Sequence, residues 1–348
     1  MADKPEKTVL QKLRSWISFL FLAILATGGV FSYILYQYGN TPASTSQEEQ
    51  ILEIQPGTNL KQVSRILADK QIIKKPNTFV WYTRLQGKQN EIKTGEYSFT
   101  PSTPPWKILD ALTRGMTVLY TVTIPEGYRI TEIAALFEDK GLTTREKFIE
   151  ATRNPTLVES LNIPTKDLEG YLYPETYRFS KTAGAEQIVG TLVETFKERV
   201  QTPDLSKQVE SQKLSLHEIV TLASLIEKET GLAKERKIIS SVFHNRLAKK
   251  MRLQTDPTVI YAIVHFDGNI RKKDLSIDSP YNTYKYFGLP PGPIASPGLE
   301  SIEAALNPTE SEFLYFVSRK DGSHQFSTNY QDHTRAVRKY QLGHRIRG

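Results

Sequence analysis

The chain has 348 residues, 39% hydrophobic and 24% charged, which is ordinary folding composition and enough length for roughly two domains. It contains no cysteine, which excludes a disulfide framework, a thiolate zinc site and a cysteine nucleophile. A formal net charge of +7 favours acidic surfaces such as anionic lipid or cell-wall polymer, yet no arginine-rich helix or zinc-finger spacing points to nucleic acid.

No residue between Arg14 and Glu48 is charged. The apolar core of this stretch runs from Trp16 to Tyr36, about 21 residues and so about 32 Å of helix, enough to cross a bilayer. Trp16 marks one end and Tyr33, Tyr36 and Tyr38 the other, where aromatic rings favour the interface. Lys4, Lys7, Lys12 and Arg14 precede it, and no Lys or Arg follows until Lys61. The asymmetry predicts a cytoplasmic tail over 1–15, a single-pass helix over 16–38 in the inner (cytoplasmic) membrane, and the bulk of the chain outside the cytoplasm. A cleaved signal peptide is the competing reading, but its apolar stretch is normally shorter. The polar stretch that follows, GNTPASTSQEEQ, reads as a linker, taken as 39–52.

An internal repeat comes next. Ile54-Gln-Pro-Gly57 opens one copy and Ile124-Pro-Glu-Gly127 the other. Aligning the two glycines pairs Leu60 with Ile130, Val63 with Ile133, Ile66 with Leu136 and Leu67 with Phe137. Each copy therefore reads as strand, glycine turn and short amphipathic helix, giving two related α+β units in series. Residues 97–115 continue the first unit as a strand, a proline-rich turn and a helix closed by Gly115, and 118–124 read as a strand entering the second. The segment EGYLYPETY over 169–177 follows. Its tyrosines, Tyr171 and Tyr173 among them, suit either stacking on sugar rings or packing under the core.

The chemistry-bearing stretch is 215–231. Ser215 and Glu218 form an S-x-x-E capping box and Gly231 stands where a C-cap glycine belongs, so a helix is predicted over about 216–230. Leu216, Ile219, Val220, Ala223 and Ile226 make an apolar stripe on that helix, and Glu227 and Thr230 fall within it. Glu229 falls on the other side with Glu218 and Lys228, although Leu222 and Leu225 lie there too. Glu227 would thus face the interior or a cleft, where desolvation keeps a carboxyl protonated as a general acid requires. The alternative is a salt bridge from Glu227 to Arg236 or Arg246.

Asp256 in MRLQTDPTVIY (251–261) is a second carboxylate, and before Pro257 it reads first as a helix N-cap. Tyr281-Asn-Thr-Tyr284 and the loop GLPPGPIASPG (288–298) come after. The loop is stiffened by four prolines and serves equally well as a groove wall or a structural turn. His324 and His333 make a weak metal signal, with no H-E-x-x-H, no G-x-S-x-G and no P-loop in the chain.

Taken together, 169–177, 223–230, 245–247, 251–261, 281–284 and 288–292 resemble the MltG (YceG-like) family of endolytic murein transglycosylases. The resemblance covers nearly the whole chain. It implies a LysM-like unit over 53–117, a mixed α+β catalytic domain over 118–348, and cleavage of the MurNAc-GlcNAc β-1,4 bond of nascent glycan strands to leave a 1,6-anhydroMurNAc end. It also implies Glu227, the first glutamate of EKET, as the catalytic residue. The expected sugar contacts are Glu229, Thr230, Gln254, Asp256, Tyr281, Asn282, Tyr284, Tyr171 and Tyr173. Peptidoglycan strands, the membrane and peptidoglycan synthases are the expected partners, with no cofactor or metal. The rival readings are a hydrolase using Asp256 or Glu229 as second carboxylate, and a non-catalytic scaffold for cell-wall synthases.

Overall fold

A computed structural model describes residues 6–211 and 213–342; the first five residues of the expected cytoplasmic tail and the end of the basic C-terminus lie outside the described residues. The described chain is mixed α+β and divides into two compact units, one of residues 1–119 with 180–182, the other of 120–179 with 183–348. The sequence places the break after 117 and carries no sign that 180–182 belong to the first unit.

The first unit begins with α1 (Glu6–Asn40), whose side chains from Gln11 to Ile34 are almost all exposed and which is long and apolar enough to cross a membrane. The end of the same helix is part of a core. Leu35 is buried, and Tyr38 packs beside it and donates its hydroxyl to the Lys75 carbonyl. β1 (Gln50–Ile54) pairs antiparallel with β2 (Gly95–Phe99), with α2 (Leu60–Asp69) and α3 (Pro76–Leu85) between them and α4 (Pro105–Arg114) after them. Alternate β1 residues Leu52 and Ile54 point inward onto Val63, Leu67, Phe79 and Tyr97, the half-buried pattern of a one-sided strand.

The expected linker is different from the sequence reading. α1 runs through Asn40, and the coil after it is tied down by Ser44 N–H to the Pro101 carbonyl, Ser102 N–H to the Ser46 carbonyl, and Ser102 Oγ to Gln47. A polar composition permits a free linker, but these groups instead satisfy a neighbouring proline-rich turn.

In the second unit, β3 (Tyr120–Thr123), α5 (Ile130–Asp139), α6 (Arg145–Arg153), α7 (Pro155–Ser160), β4 (Thr176–Phe179) and α8 (Ala185–Val200) repeat the order of the first with one more helix, α7, between the strands, and β3 is antiparallel to β4. The repeat extends to the backbone. Gly57 and Gly127 have φ of 84° and 76° at the turns into α2 and α5, and Gln71 and Gly141 have φ of 58° and 64° after them. Ile72 N–H then reaches the Leu67 carbonyl as Leu142 N–H reaches that of Phe137, so each helix ends in the same wrapped turn.

The rest of the unit is built around one helix. After α9 (Pro203–Ser211), α10 (Leu216–Glu229) packs on α11 (Ala233–Ala248), α12 (Asp256–Ala262) and α13 (Leu299–Leu306), and β5 (Tyr315–Ser318), β6 (His324–Ser327) and α14 (Tyr330–Val337) close the chain. Every residue of α10 from Ile219 to Ile226 is buried. It therefore has no solvent face along its middle, and the single apolar stripe expected for it is only part of its buried surface.

Candidate active site

The capping box at the start of α10 is as the sequence predicts. Ser215 Oγ accepts from Glu218 N–H, and Glu218 accepts in turn from Ser215 N–H at 2.8 Å. The other end differs. The helix stops at Glu229, its C-cap is Thr230 in an extended conformation, and Gly231 does not take the left-handed cap conformation. The last turn therefore carries two glutamates into two separate environments.

Glu227 is held in a polar knot whose outer members, Glu126 and Glu300, are exposed. Its Oε2 accepts from Gly298 N–H at 3.0 Å and Ser301 Oγ at 2.7 Å, and its Oε1 lies 3.7 Å from the Arg236 guanidinium. Its side chain is 7% exposed. Arg236 also contacts Glu126 and Glu300, so three carboxylates converge on one cation. Burial first, and then the Glu227 charge, push the Glu126 carboxyl upward. The knot fastens the proline loop to α10, together with Ile294 N–H to Ser224 Oγ and the Pro291 carbonyl to His217 Nε2. Of the two readings for Glu227, the ion pair with Arg236 is present, and Glu227 is not among the residues that line the cleft at Glu229.

Glu229 faces a cleft of about 410 Å³, lined with Gln254, Asp256, Tyr284, Arg246 and the β5 and α14 side chains Tyr315 and His333. Thr255 Oγ1 donates to its Oε1. Burial pushes the Glu229 carboxyl up to about 7; the Thr255 hydrogen bond opposes this, the Asp256 charge adds to it, and Arg246 opposes it. The place of Glu229 at the C-terminal end of a helix also disfavours its anion.

The walls of the cleft come from motifs that lie apart in sequence. Gln254 has φ of 49°, a left-handed conformation for a non-glycine residue, and its N–H reaches the Thr283 carbonyl at 3.2 Å. Thr255 N–H and the Thr258 hydroxyl both meet Thr283 Oγ1, at 3.1 and 2.9 Å. These bonds stitch residues 254–258 to the 281–284 turn and set Thr255 against Glu229. Asp256 is not the N-cap. That position is Thr255, and Asp256 is the first residue of α12, where its carboxylate accepts the Tyr284 hydroxyl at 2.6 Å. Pro257 falls at the second helical position, where its missing N–H costs no intrahelical bond.

Several expected sugar contacts lie in the framework. Tyr171 is 1% exposed, stacks on His217 and spends its hydroxyl on His217 Nδ1 at 2.8 Å. Tyr173 is buried and its carbonyl accepts the Tyr177 hydroxyl. Asn282 is fully enclosed, its amide donating to the carbonyls of Leu275 and Ile277. Tyr281 packs its ring on Tyr261, and Thr230 is buried with its hydroxyl accepting Leu232 N–H. Glu229, Gln254, Asp256 and Tyr284 are the expected residues that the structure brings together at the cleft.

Three cleft residues are not among the expected sugar contacts. Arg246, in the 245–247 motif, donates to the Leu314 and Leu253 carbonyls at 2.6 and 2.8 Å and lies over the Tyr315 ring. Tyr315 and His333 stack on each other with centroids 5.1 Å apart. Burial, then the Arg246 charge, push His333 downward, which keeps its imidazole neutral, and its Nδ1 is buried without a hydrogen-bond partner. No periodicity marks these residues; the 245–247 motif and the isolated His333 are the signals the sequence offers. Among the described residues no cluster of His, Cys, Asp and Glu is arranged to hold a metal ion.

This geometry can be set beside known proteins. A model of the YceG-like family matches residues 52–339, which takes in both strand-helix repeats and every residue of the cleft named above. The chain belongs to the YceG-like family. It is 35% identical over 305 residues to the endolytic murein transglycosylase of Bacillus subtilis (strain 168), covering 83% of this chain and 84% of that one. It is 33% identical over 360 residues to the endolytic murein transglycosylase of Streptococcus pneumoniae serotype 2 (strain D39 / NCTC 7466), covering 93% of this chain but 64% of the longer pneumococcal protein. A solved YceG-like protein from Listeria monocytogenes is 37% identical and superposes with a TM-score of 0.58, over 83% of this chain and 99% of that one.

Proposed function

We propose that the chain is an endolytic murein transglycosylase that uses Glu229, not Glu227, as its acid and base. The observation that carries this is the Glu229 carboxyl at the wall of the cleft, raised by burial to about 7 and held by Thr255. Family membership and the names of the relatives supply the reaction class. Protonated Glu229 gives its proton to the oxygen of the MurNAc-GlcNAc β-1,4 bond as positive charge develops at C1 of the muramic acid. The resulting carboxylate takes the proton of the C6 hydroxyl, O6 bonds to C1, and a 1,6-anhydro end forms without consuming water. The intramolecular nucleophile gains the advantage of proximity. A carboxyl with a pKa near ambient pH suits both halves of the cycle. The cleft's second carboxylate, Asp256, is tied to Tyr284 and orients the wall rather than activating water.

The test is product mass from purified glycan strands. An anhydro end is one water lighter than a reducing end. Reducing ends would favour the hydrolase, and no cleavage the scaffold.

The finer parts of the reading rest on sequence and family. The βααβ order of the first unit supports a LysM-like glycan-binding role. The Lys/Arg asymmetry around α1 supports a cytoplasmic N-terminus, an anchor in the cytoplasmic membrane and working domains outside. A reporter fused after Gly348 should be active only outside the cytoplasm, and cytoplasmic activity would overturn that orientation.

A further inference from the structure

The end of the membrane-type helix is built into the first unit, and this fixes which face of that unit meets the bilayer. Leu35 and Tyr38 of α1 belong to the unit's core, and the backbone of Gly39 lies so close to the Tyr82 ring that a Cβ there would sit 2.7 Å from it. α1 packs directly on α3 and α4, with no free hinge between helix and unit.

One contact reaches further down. The Trp81 ring on α3 meets the Phe31 ring edge-on, with centroids 6.3 Å apart. Phe31 precedes Tyr36, the outer end of the apolar stretch, by five residues, which is about 7.5 Å of helix. A ring touching Phe31 is therefore at or below the level where the hydrocarbon begins when the apolar stretch of α1 spans a bilayer about 30 Å thick. Trp81 is 55% exposed, and Leu85, one turn along α3 on the same face, is 56% exposed. The Arg84 guanidinium lies over the Trp81 ring, 5.6 Å from its centroid. An exposed indole and leucine with a cation alongside make the side-chain set of a membrane interface, where the ring sits at headgroup depth and the charge reaches phosphate.

We propose that this face of the first unit, with Trp81 and Leu85 inserted and Arg84 at the headgroups, is seated in the phospholipid leaflet on the unit's own side. The proposal rests on the reading of α1 as a membrane span. The unit is then held by helix and face together, and residues 41–49 are not a spacer that lifts it off the surface.

Tryptophan fluorescence of the full chain in vesicles of phosphatidylcholine and phosphatidylglycerol tests this. The chain has three tryptophans, at 16, 81 and 106. The double variants W16F/W106F and W81F/W106F leave Trp81 or Trp16 as the sole reporter, with conservative changes at exposed positions. In vesicles carrying lipid brominated high on the acyl chain, Trp81 should lose intensity to an extent comparable with Trp16, with emission shifted to the blue. If Trp16 is quenched while Trp81 emits as in water, α1 spans the bilayer and the seating is wrong. If neither is quenched, the membrane span fails and the seating falls with it. Circular dichroism of both variants against the wild-type chain checks that the fold is kept.

Discussion

Thr255 donates its hydroxyl to Glu229, so the residue that caps α12 grips the last residue of α10. The bond aims the carboxyl and offsets part of the rise that burial imposes on it, and it ties the fate of Glu229 to the 281–284 turn that positions Thr255.

Glu229→Gln keeps the size of the side chain and removes the transferable proton. Activity on glycan strands should fall by about 10²–10⁴-fold with the fold intact, since general acid-base catalysis is typically worth that much. Glu227→Gln should do the reverse. It removes the charge that meets Arg236, Gly298 N–H and Ser301, so it should cost about 1–3 kcal/mol of stability while the folded fraction keeps most of its activity. Turnover and thermal unfolding measured on both variants check this; a dead but fully stable Glu227→Gln would return the assignment to Glu227.

The pH profile should carry the signature of Glu229. As the acid must be protonated, kcat/KM should fall on the alkaline side with an apparent pKa near 7. Thr255→Val removes a hydrogen bond that favours the anion, so the alkaline limb should move up, by up to about one unit. An unmoved limb would show that another group sets it.

Asp256→Asn probes the second carboxylate. Its charge raises the Glu229 carboxyl, so the alkaline limb should move down in this variant. The products should keep their anhydro ends. A switch in product mass, or a loss as deep as that of Glu229→Gln, would make Asp256 a participant in the chemistry.

Glu169 predicts a separate effect on stability. It is buried, accepts Ile130 N–H at 3.1 Å and the Tyr261 hydroxyl at 3.3 Å, and burial raises its carboxyl to about 7. An unfolded glutamate titrates near about 4.3. Between these values the folded chain holds a proton that the unfolded chain has lost, so stability present below about pH 4 is lost as pH rises through 7, about 4 kcal/mol at most. In Glu169→Gln, melting temperatures at pH 5 and pH 8 should lie closer together than in the wild type. An equal gap in both proteins would place the pH dependence elsewhere.

Local signals carried much of this structure. The Ser215–Glu218 box starts α10 where expected, Gly115 at φ 72° closes α4, and the Gly57/Gly127 repeat returns as matched turns. The site was legible as a set of motifs but not in its phasing. A helical wheel assigns sides by assuming one buried face, and α10 is buried all round, so the wheel ranks Glu227 above Glu229 with no knowledge of what each side meets. Arg236 closes one side and Thr255 opens the other; both are tertiary neighbours that one-dimensional periodicity does not encode. The tyrosines of 169–177 were open to two readings for a related reason. A phenol can stack on a sugar or on His217, and composition is the same either way.

The strand pairs have a consequence for how the chain is made. β1 and β2 are separated by residues 55–94, and β3 and β4 by residues 124–175, so neither ladder is a hairpin. A chain leaving the ribosome N-terminus first exposes Gln50–Ile54 for the whole time those forty residues take to appear, about 2–8 s at typical elongation rates. Loop closure must precede any ladder bond, which makes both pairings late events with high contact order. During synthesis β1 is therefore an orphan edge whose inward residues, Leu52 and Ile54, have only the helices α1, α2 and α3 to lean on. A translation pause just before Gly95 should be the point at which a nascent chain is most prone to misassociate.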